Sequence, residues 1–465
     1  MGGRLTDSKR VLLIGLDCAA PRFVFGPEAF ELPNLQRLMA SGCWGPLRSC
    51  HPPITVPAWS CMMTGKDPGT LGIYGFRNRR DHSYASMRIA TGADVHEPRV
   101  WDILSDAGKK VVLVGVPQTY PVSRVNGCLV SGLLTPDTRA TFTYPEDLGR
   151  EVLDAVGDYI IDVPDFRTDD KESLLGRIRA LMNNRFDVAE YLMESKPWDF
   201  FMVVEMGVDR LHHAFWSHAD PSHPRHDPDS PYTAVVREYY EEVDGRIGAL
   251  CDGAGNETAV LVVSDHGAKA IHGGICVNQW LMDEGYLVLE ETPPAPVPLE
   301  KCRVDWTRTR AWGSGGYYAR IHLNVRGREP QGLVEVSKYE GLRDELVRKI
   351  EGMMGPNKML LGNRALKPEE IYATVNGVAP DLIVYYGDLH WRSIGLVGGG
   401  SVFASENDTG PDEANHDFEG IFIMNDGTAR GGGSMDGLGL LDVAPTLLEL
   451  MGMEVPADMQ GSSIL

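Results

Sequence analysis

Apolar residues along the chain fall into two patterns. Some form short unbroken runs, and others recur every three or four residues. Unbroken runs of strand length read as strands buried on both faces, and the second spacing reads as amphipathic helix. RVLLIGLD (10–17) is the first run and ends on Asp17. PNLQRLMASG (33–42) has helical spacing and a glycine stop. PRVWDILSDAGKKVVLVGVP (98–117) reads as helix, glycine turn and strand, and CLVSGLL (128–134) as a further strand. Residues 171–195 carry the pattern of a long amphipathic helix, and DFFMVVEMGVD (199–209) follows as a strand ending on Asp209. The polar stretch 217–231, rich in Pro and His, is a loop; 232–255 is a helix; TAVLVVSDHG (258–267) is a strand ending on Asp265 and His266. This alternation predicts an α/β fold, a three-layer α/β/α sandwich around a mostly parallel sheet.

The pattern changes after residue 287. Pro-rich and Gly-rich segments surround YYARIHLNV, which predicts a cap inserted around 287–400 into one catalytic domain spanning 1–465. Within and after it, 333–355 reads as helix and 381–386 as strand. His416 stands just before the strand EGIFIM, and 439–452 closes the chain as a helix, with Pro445 as a candidate kink. GGRLT at the start and GTARGGGSMDG (427–437) read as short flexible pieces.

Length and composition, 465 residues with 43% hydrophobic and 23% charged, describe a large globular core. The net charge of −21 argues against a nucleic-acid backbone as partner. It leaves room for a phosphate substrate, because bound cations reverse the field locally. Eight scattered cysteines with no CxxC pair read as reduced thiols. The polar start MGGRLTDSKR is unlike a signal peptide, and no apolar run reaches membrane-span length. A cytoplasmic protein with no membrane contact is the expectation.

Candidate chemistry centres on HPPITVPAWSCMMTGKDPGTLGIYG (51–75). Thr55, two residues before Pro57, sits at or just before a helix start, where backbone N–H groups and the dipole favour an anion. Its hydroxyl is a candidate nucleophile at phosphorus. Capping the helix is the plainer role for it. Asp17, Asp209 and Asp265 all end apolar runs, and in open α/β sheets the ligand site lies beyond the carboxyl ends of the strands. Gathered there, they repel one another unless a cation is present. His213 follows Asp209 by one helical turn, His266 adjoins Asp265, and His416 lies alone. Asp and His together suit zinc or manganese. Two sites are expected, one from Asp17, Thr55, Asp265 and His266, the other from Asp209, His213 and His416.

In this order the motifs resemble the alkaline phosphatase superfamily, and within it the type I phosphodiesterase/nucleotide pyrophosphatase family. The resemblance covers Asp17, Thr55-x-Pro57 with TGKDPGTLGIYG, Asp209 with His213, Asp265-His266-Gly267, and His416. It implies two divalent cations, zinc before manganese, about 4 Å apart, clamping a small phosphate-ester substrate. It also implies in-line attack by Thr55 and a phosphothreonine that water hydrolyses. Nucleotide pyrophosphatases carry an Asn three residues after the nucleophile, where this chain has Ala58 followed by Trp59, and Leu71 replaces the His of their HGI segment. Cys61 is not in the C-x-P-x-R setting of a sulfatase, and cofactor-independent phosphoglycerate mutases use serine. The resemblance favours diester or pyrophosphate hydrolysis slightly over monoester hydrolysis, and Ala58 weighs against the nucleotide-diester case. The alternatives are a phosphomonoesterase, a phosphotransferase, or an inactive metal- or phosphate-binding protein. Ala58, Trp59, Arg210, Lys269 and His272 are candidate substrate contacts.

Overall fold

The computed structural model of the chain describes residues 9–428 and 433–465. The GGRLT piece lies outside these residues, as does the centre of the 427–437 stretch. The unbroken apolar runs form the middle of one large sheet. Val11–Leu16 lies between Phe200–Glu205 and Ala259–Val263, parallel to both. Val111–Val116 and Gly127–Ser131 extend it in parallel on one side. On the other side Glu419–Asn425 joins antiparallel to Ala259–Val263, followed by Cys43–Arg48. All residues of the Val11–Leu16, Val111–Val116 and Phe200–Glu205 strands are buried, as a sheet covered on both faces requires.

Two groups of helices cover this sheet. Lys171–Ser195 packs on Phe200–Glu205, on Val111–Val116 and on the helices Gly207–Ala219 and Val235–Ala254. A second group joins Thr55–Thr64, Val100–Asp106 and Val443–Leu450. The architecture is a three-layer α/β/α fold. No helix among the described residues is long and apolar enough to cross a membrane.

Several boundaries differ from the sequence reading. The run 199–209 stops being a strand at Glu205. The Glu205 carboxylate accepts from the N–H of Gly207 at 2.5 Å and of Val208 at 3.1 Å, so the strand ends four residues earlier than hydrophobicity suggests and a helix starts at Gly207. Asp209 therefore lies in the first turn of the helix Gly207–Ala219 and not at a strand end. The strand after Thr258 ends at Val263, and Gly267–Ala270 starts a separate antiparallel pair with Ala414–Asp417, the strand that carries His416. Thr55 does not cap its helix. Ile54 holds that position, and Thr55 is the first helical residue. Pro445 sits in the first turn of Val443–Leu450, where it costs no hydrogen bond and makes no kink.

A second apolar cluster gathers residues from Ile275 to Val397. The supposedly irregular region contains the strands Ala311–Ser314 and Ala319–Leu323. With Leu382–Tyr385 and Arg364–Leu366 they form an antiparallel sheet of their own.

Candidate metal centre

The carboxyl ends of the central strands bring the first group together. Gly15 is level with both Val204 and Val263, so Asp17 and Asp265 emerge beside each other. The helix starting at Thr55 is pinned against this edge by Trp59. A Cβ on Gly15 would lie 2.3 Å from the Trp59 ring, so only glycine admits it. The Trp59 indole N–H donates to Asp17 Oδ2 at 2.7 Å. Asp265 Oδ1 accepts from the Cys18 N–H at 3.2 Å. His266 Nδ1 faces the Gly267 carbonyl at 3.1 Å, which turns Nε2 inward. Nε2 then lies 3.2 Å from Asp265 Oδ2, 3.7 Å from Asp17 Oδ1 and 3.4 Å from Thr55 Oγ1.

The second group is built around Asp209. One helical turn brings His213 Nε2 to 3.3 Å from Asp209 Oδ1. His416 Nε2 lies 3.7 Å from the same oxygen and 3.3 Å from His213 Nε2. The outward nitrogens are held, His416 Nδ1 against the Pro53 carbonyl at 2.9 Å and His213 Nδ1 against Asp412 Oδ1 at 2.8 Å. Second nitrogens anchored on carbonyls and carboxylates are the way metal-binding imidazoles are oriented. The two groups adjoin: the His266 and His416 rings stack with centroids 3.9 Å apart.

Buried atoms without partners test whether cations fit. Asp17 Oδ1, Asp209 Oδ1 and Asp265 Oδ2 have no hydrogen-bond partner among the described residues, and they are the oxygens that face the inward Nε2 atoms. Lone pairs buried in this way are costly unless something positive meets them. Burial, then Asp209, push the Asp17 carboxyl well above its usual value; burial, then Asp17, do the same to Asp265. Burial opposes the charge on Asp209 too, but His213 and Arg210 hold it well below the usual range. Burial brings the His266 imidazole down to about 4, so it is neutral and able to donate a lone pair near neutral pH. Two sets of three, Asp17, Asp265 and His266, and Asp209, His213 and His416, each offer ligand atoms within 4.8 Å of one another. Their chemistry fits a zinc-class divalent cation.

The remaining sequence candidates divide. Trp59 orients Asp17. Trp59→Phe is expected to weaken cation binding at this group roughly tenfold or more, the usual size of such an outer contact. Zinc titration against a competing chelator measures it, and an unchanged affinity would make the indole a packing residue only. Arg210 bonds to Asp209 and, from Nε and Nη2, to Asp162 at 2.8 Å each. Ala58 is fully buried in the helix. Lys269 pairs with Asp417 at 2.9 Å and Asp388 at 3.2 Å, so its charge is already matched. His272 is exposed and stacks on His390 with centroids 4.5 Å apart.

Sequence reasoning missed Asp412, Arg167, Arg392 and Tyr317. Asp412 is buried, and besides His213 it meets Arg392 at 2.7 Å and Arg167 at 3.1 Å. No local spacing signalled it, because its histidine partner is 199 residues away.

No protein with a curated description matches the chain. Solved structures do. Human ectonucleotide pyrophosphatase/phosphodiesterase 5 superposes with a TM-score of 0.55 at 15% identity, over 98% of this chain and 97% of that one. A murine form of that protein, inactive through a threonine-to-alanine change and in complex with AMP, gives 0.53 at 14% identity over 96% of each chain. Phosphonoacetate hydrolase from Sinorhizobium meliloti 1021, in complex with phosphonoformate, gives 0.57 at 16% identity over 96% of each. At such identities these likenesses show the fold. The sequence pattern of one family, however, matches residues 11–412, most of the chain. The chain belongs to the type I phosphodiesterase/nucleotide pyrophosphatase family, and is a divalent-metal-dependent hydrolase of phosphoric esters.

Proposed function

We propose that the protein cleaves phosphoric diesters or pyrophosphates by passing the phosphoryl group first to Thr55 and then to water. The observation that carries this reading is the Thr55 hydroxyl: buried, free of capping duty, and 3.4 Å from the inward nitrogen of His266. Asp17, Asp265 and His266 would hold one cation and Asp209, His213 and His416 the other. Such ions supply Lewis-acid stabilisation of phosphoryl oxygens and make hydroxyl groups nucleophilic at neutral pH. The chain does the rest. Pro57 has no N–H, and the N–H groups of Thr55 and Val56 have no partner among the described residues, so both are free to meet a phosphoryl oxygen at the helix start. The Thr55 Oγ–P bond forms as the bond to the leaving alcohol or phosphate breaks, and water then restores the hydroxyl. The murine neighbour is inactive when one of its threonines is changed to alanine, which is in keeping with a threonine nucleophile.

A phosphomonoesterase is the second reading, favoured by Ala58, which offers no side-chain donor to a diester oxygen. Comparing bis- and mono-p-nitrophenyl phosphate separates the two. The diester is expected to give the higher kcat/KM, and at least tenfold preference for the monoester would replace the first reading with the second. We propose zinc as the cation, manganese being acceptable to the same donors. All eight cysteines are free thiols, which suits the proposed cytoplasmic setting. The Ile275–Val397 cluster is proposed as a cap over the site.

A further inference from the structure

One polar group in the metal pocket has no task in this scheme, the phenol of Tyr317. It comes from the turn between Ala311–Ser314 and Ala319–Leu323, in the second sheet. The turn is fixed by Gly316, at φ +145°, whose N–H and carbonyl both bond to Ser393, at 2.8 and 2.9 Å. The Tyr317 ring stacks on His416, with centroids 4.2 Å apart, and on His213 at 5.1 Å. Arg392 lies 4.5 Å above the ring centroid. Asn415, the neighbour of His416, donates to the Tyr317 carbonyl at 3.0 Å. Backbone, ring face and hydroxyl are each held by a different part of the chain.

Counting donors and acceptors shows what the hydroxyl has left to offer. Arg167 Nη2 lies 2.7 Å from Tyr317 Oη, and a guanidinium only donates, so the phenol proton must go elsewhere. Its neighbour is His213 Nε2 at 3.1 Å. That nitrogen also faces Asp209 Oδ1, while Nδ1 gives its proton to Asp412. The Nε2 lone pair is therefore the one a cation takes. Once it is taken, the phenol proton has no protein acceptor among the described contacts. The next oxygen to come within reach belongs to whatever the cation binds.

We infer that Tyr317 Oη, steadied by Arg167, donates its proton to a non-bridging oxygen of the bound phosphoryl group and so helps determine which oxyanions the site accepts. This rests on the reading of the preceding subsection. It also explains how the chain manages with Ala58 on the nucleophile's helix: the side-chain donor comes from the second sheet. The ligand chemistry is that of a tetrahedral phosphorus oxyanion, phosphate or phosphonate.

Tyr317→Phe keeps the ring and its stacking and removes only the donor. The full chain, loaded with two equivalents of zinc, is compared with the wild type in bound zinc, in affinity for inorganic phosphate, and in kcat and KM for p-nitrophenyl esters. Zinc content is expected to stay the same, phosphate to bind about tenfold more weakly, and kcat/KM to fall at least as far. Phosphate affinity equal to the wild type would overturn the inference and make the ring a brace. Loss of a zinc equivalent would also overturn it, by making Tyr317 a ligand. A wild-type protein that binds phosphate but cleaves no ester would sink the hydrolytic scheme instead, and phosphate affinity alone would then decide the role of Tyr317.

Discussion

Thr55→Ala is expected to lower turnover of bis-p-nitrophenyl phosphate by roughly 10⁴-fold or more, the scale of losing a nucleophile. Zinc content and melting temperature should stay close to those of the wild type. The separation of activity from stability follows from the local geometry. The Thr55 side chain makes no capping bond, and among the described residues its one hydrogen-bonding neighbour is His266 Nε2. Alanine is at least as good a helix former as threonine at this first helical position, so the fold loses little. Thr55→Ser restores a hydroxyl at the same place and is expected to recover much of the activity. A rapid-quench experiment should trap phosphate on the wild-type chain and none on the alanine variant. Near-wild-type turnover by Thr55→Ala would show that water attacks phosphorus directly.

The sheet was legible in the sequence because its strands are buried on both faces. A run such as VLLIGL has no polar residue to place on a wet surface, and it became the central strand. The helix Lys171–Ser195 was legible to the residue, with Asp170 accepting from the Ser173 N–H at its start. Asp209 shows where hydrophobicity misleads. Met206, Gly207 and Val208 are apolar enough to continue a strand, yet the Glu205 carboxylate captures the N–H groups of Gly207 and Val208 and turns the chain into helix. The four-residue spacing of Asp209 and His213 already required a helix there. Asp412 and Tyr317 were beyond reach for another reason. Their meaning lies in His213, 199 and 104 residues away, and no local pattern encodes a contact across that distance. The second sheet was hidden by its short strands between Gly- and Pro-rich turns, where period-two alternation has little length in which to show.

Chelation should destabilise the protein, and more so at higher pH. Binding of a ligand at about a thousandfold its dissociation constant stabilises a fold by about 4 kcal/mol per site. Stripping two such sites is expected to lower the melting temperature by roughly 10 °C in this large chain. The pH dependence at the first group follows from Asp17 and Asp265, whose carboxyls are held well above 3.8 without a cation by burial first, and then by the charge of Asp209 on Asp17 and of Asp17 on Asp265. Between 3.8 and that raised value, the chelated fold keeps a proton that the unfolded chain has released. At these two carboxyls the native state then binds more protons than the unfolded one, so their contribution to stability falls as pH rises through this window. His266, held down to about 4 by burial, contributes in the opposite sense up to its ordinary value of 6.5. With cations bound, both carboxylates are ionised and the slope should flatten. Asp265→Asn turns this into a reversal of sign. Its amide keeps an oxygen to accept from Cys18 but removes one of three crowded charges. The variant should lose one of two zinc ions and about 10³-fold in turnover, comparable with losing a strong electrostatic contact to the transition state. In chelator it should melt above the wild type, because less repulsion is buried; in excess zinc it should melt below. Scanning calorimetry of both proteins in both conditions reads the four values. If the variant is the less stable of the two in chelator as well, Asp265 holds the fold together by a route other than cation binding, and the assignment of the first group fails.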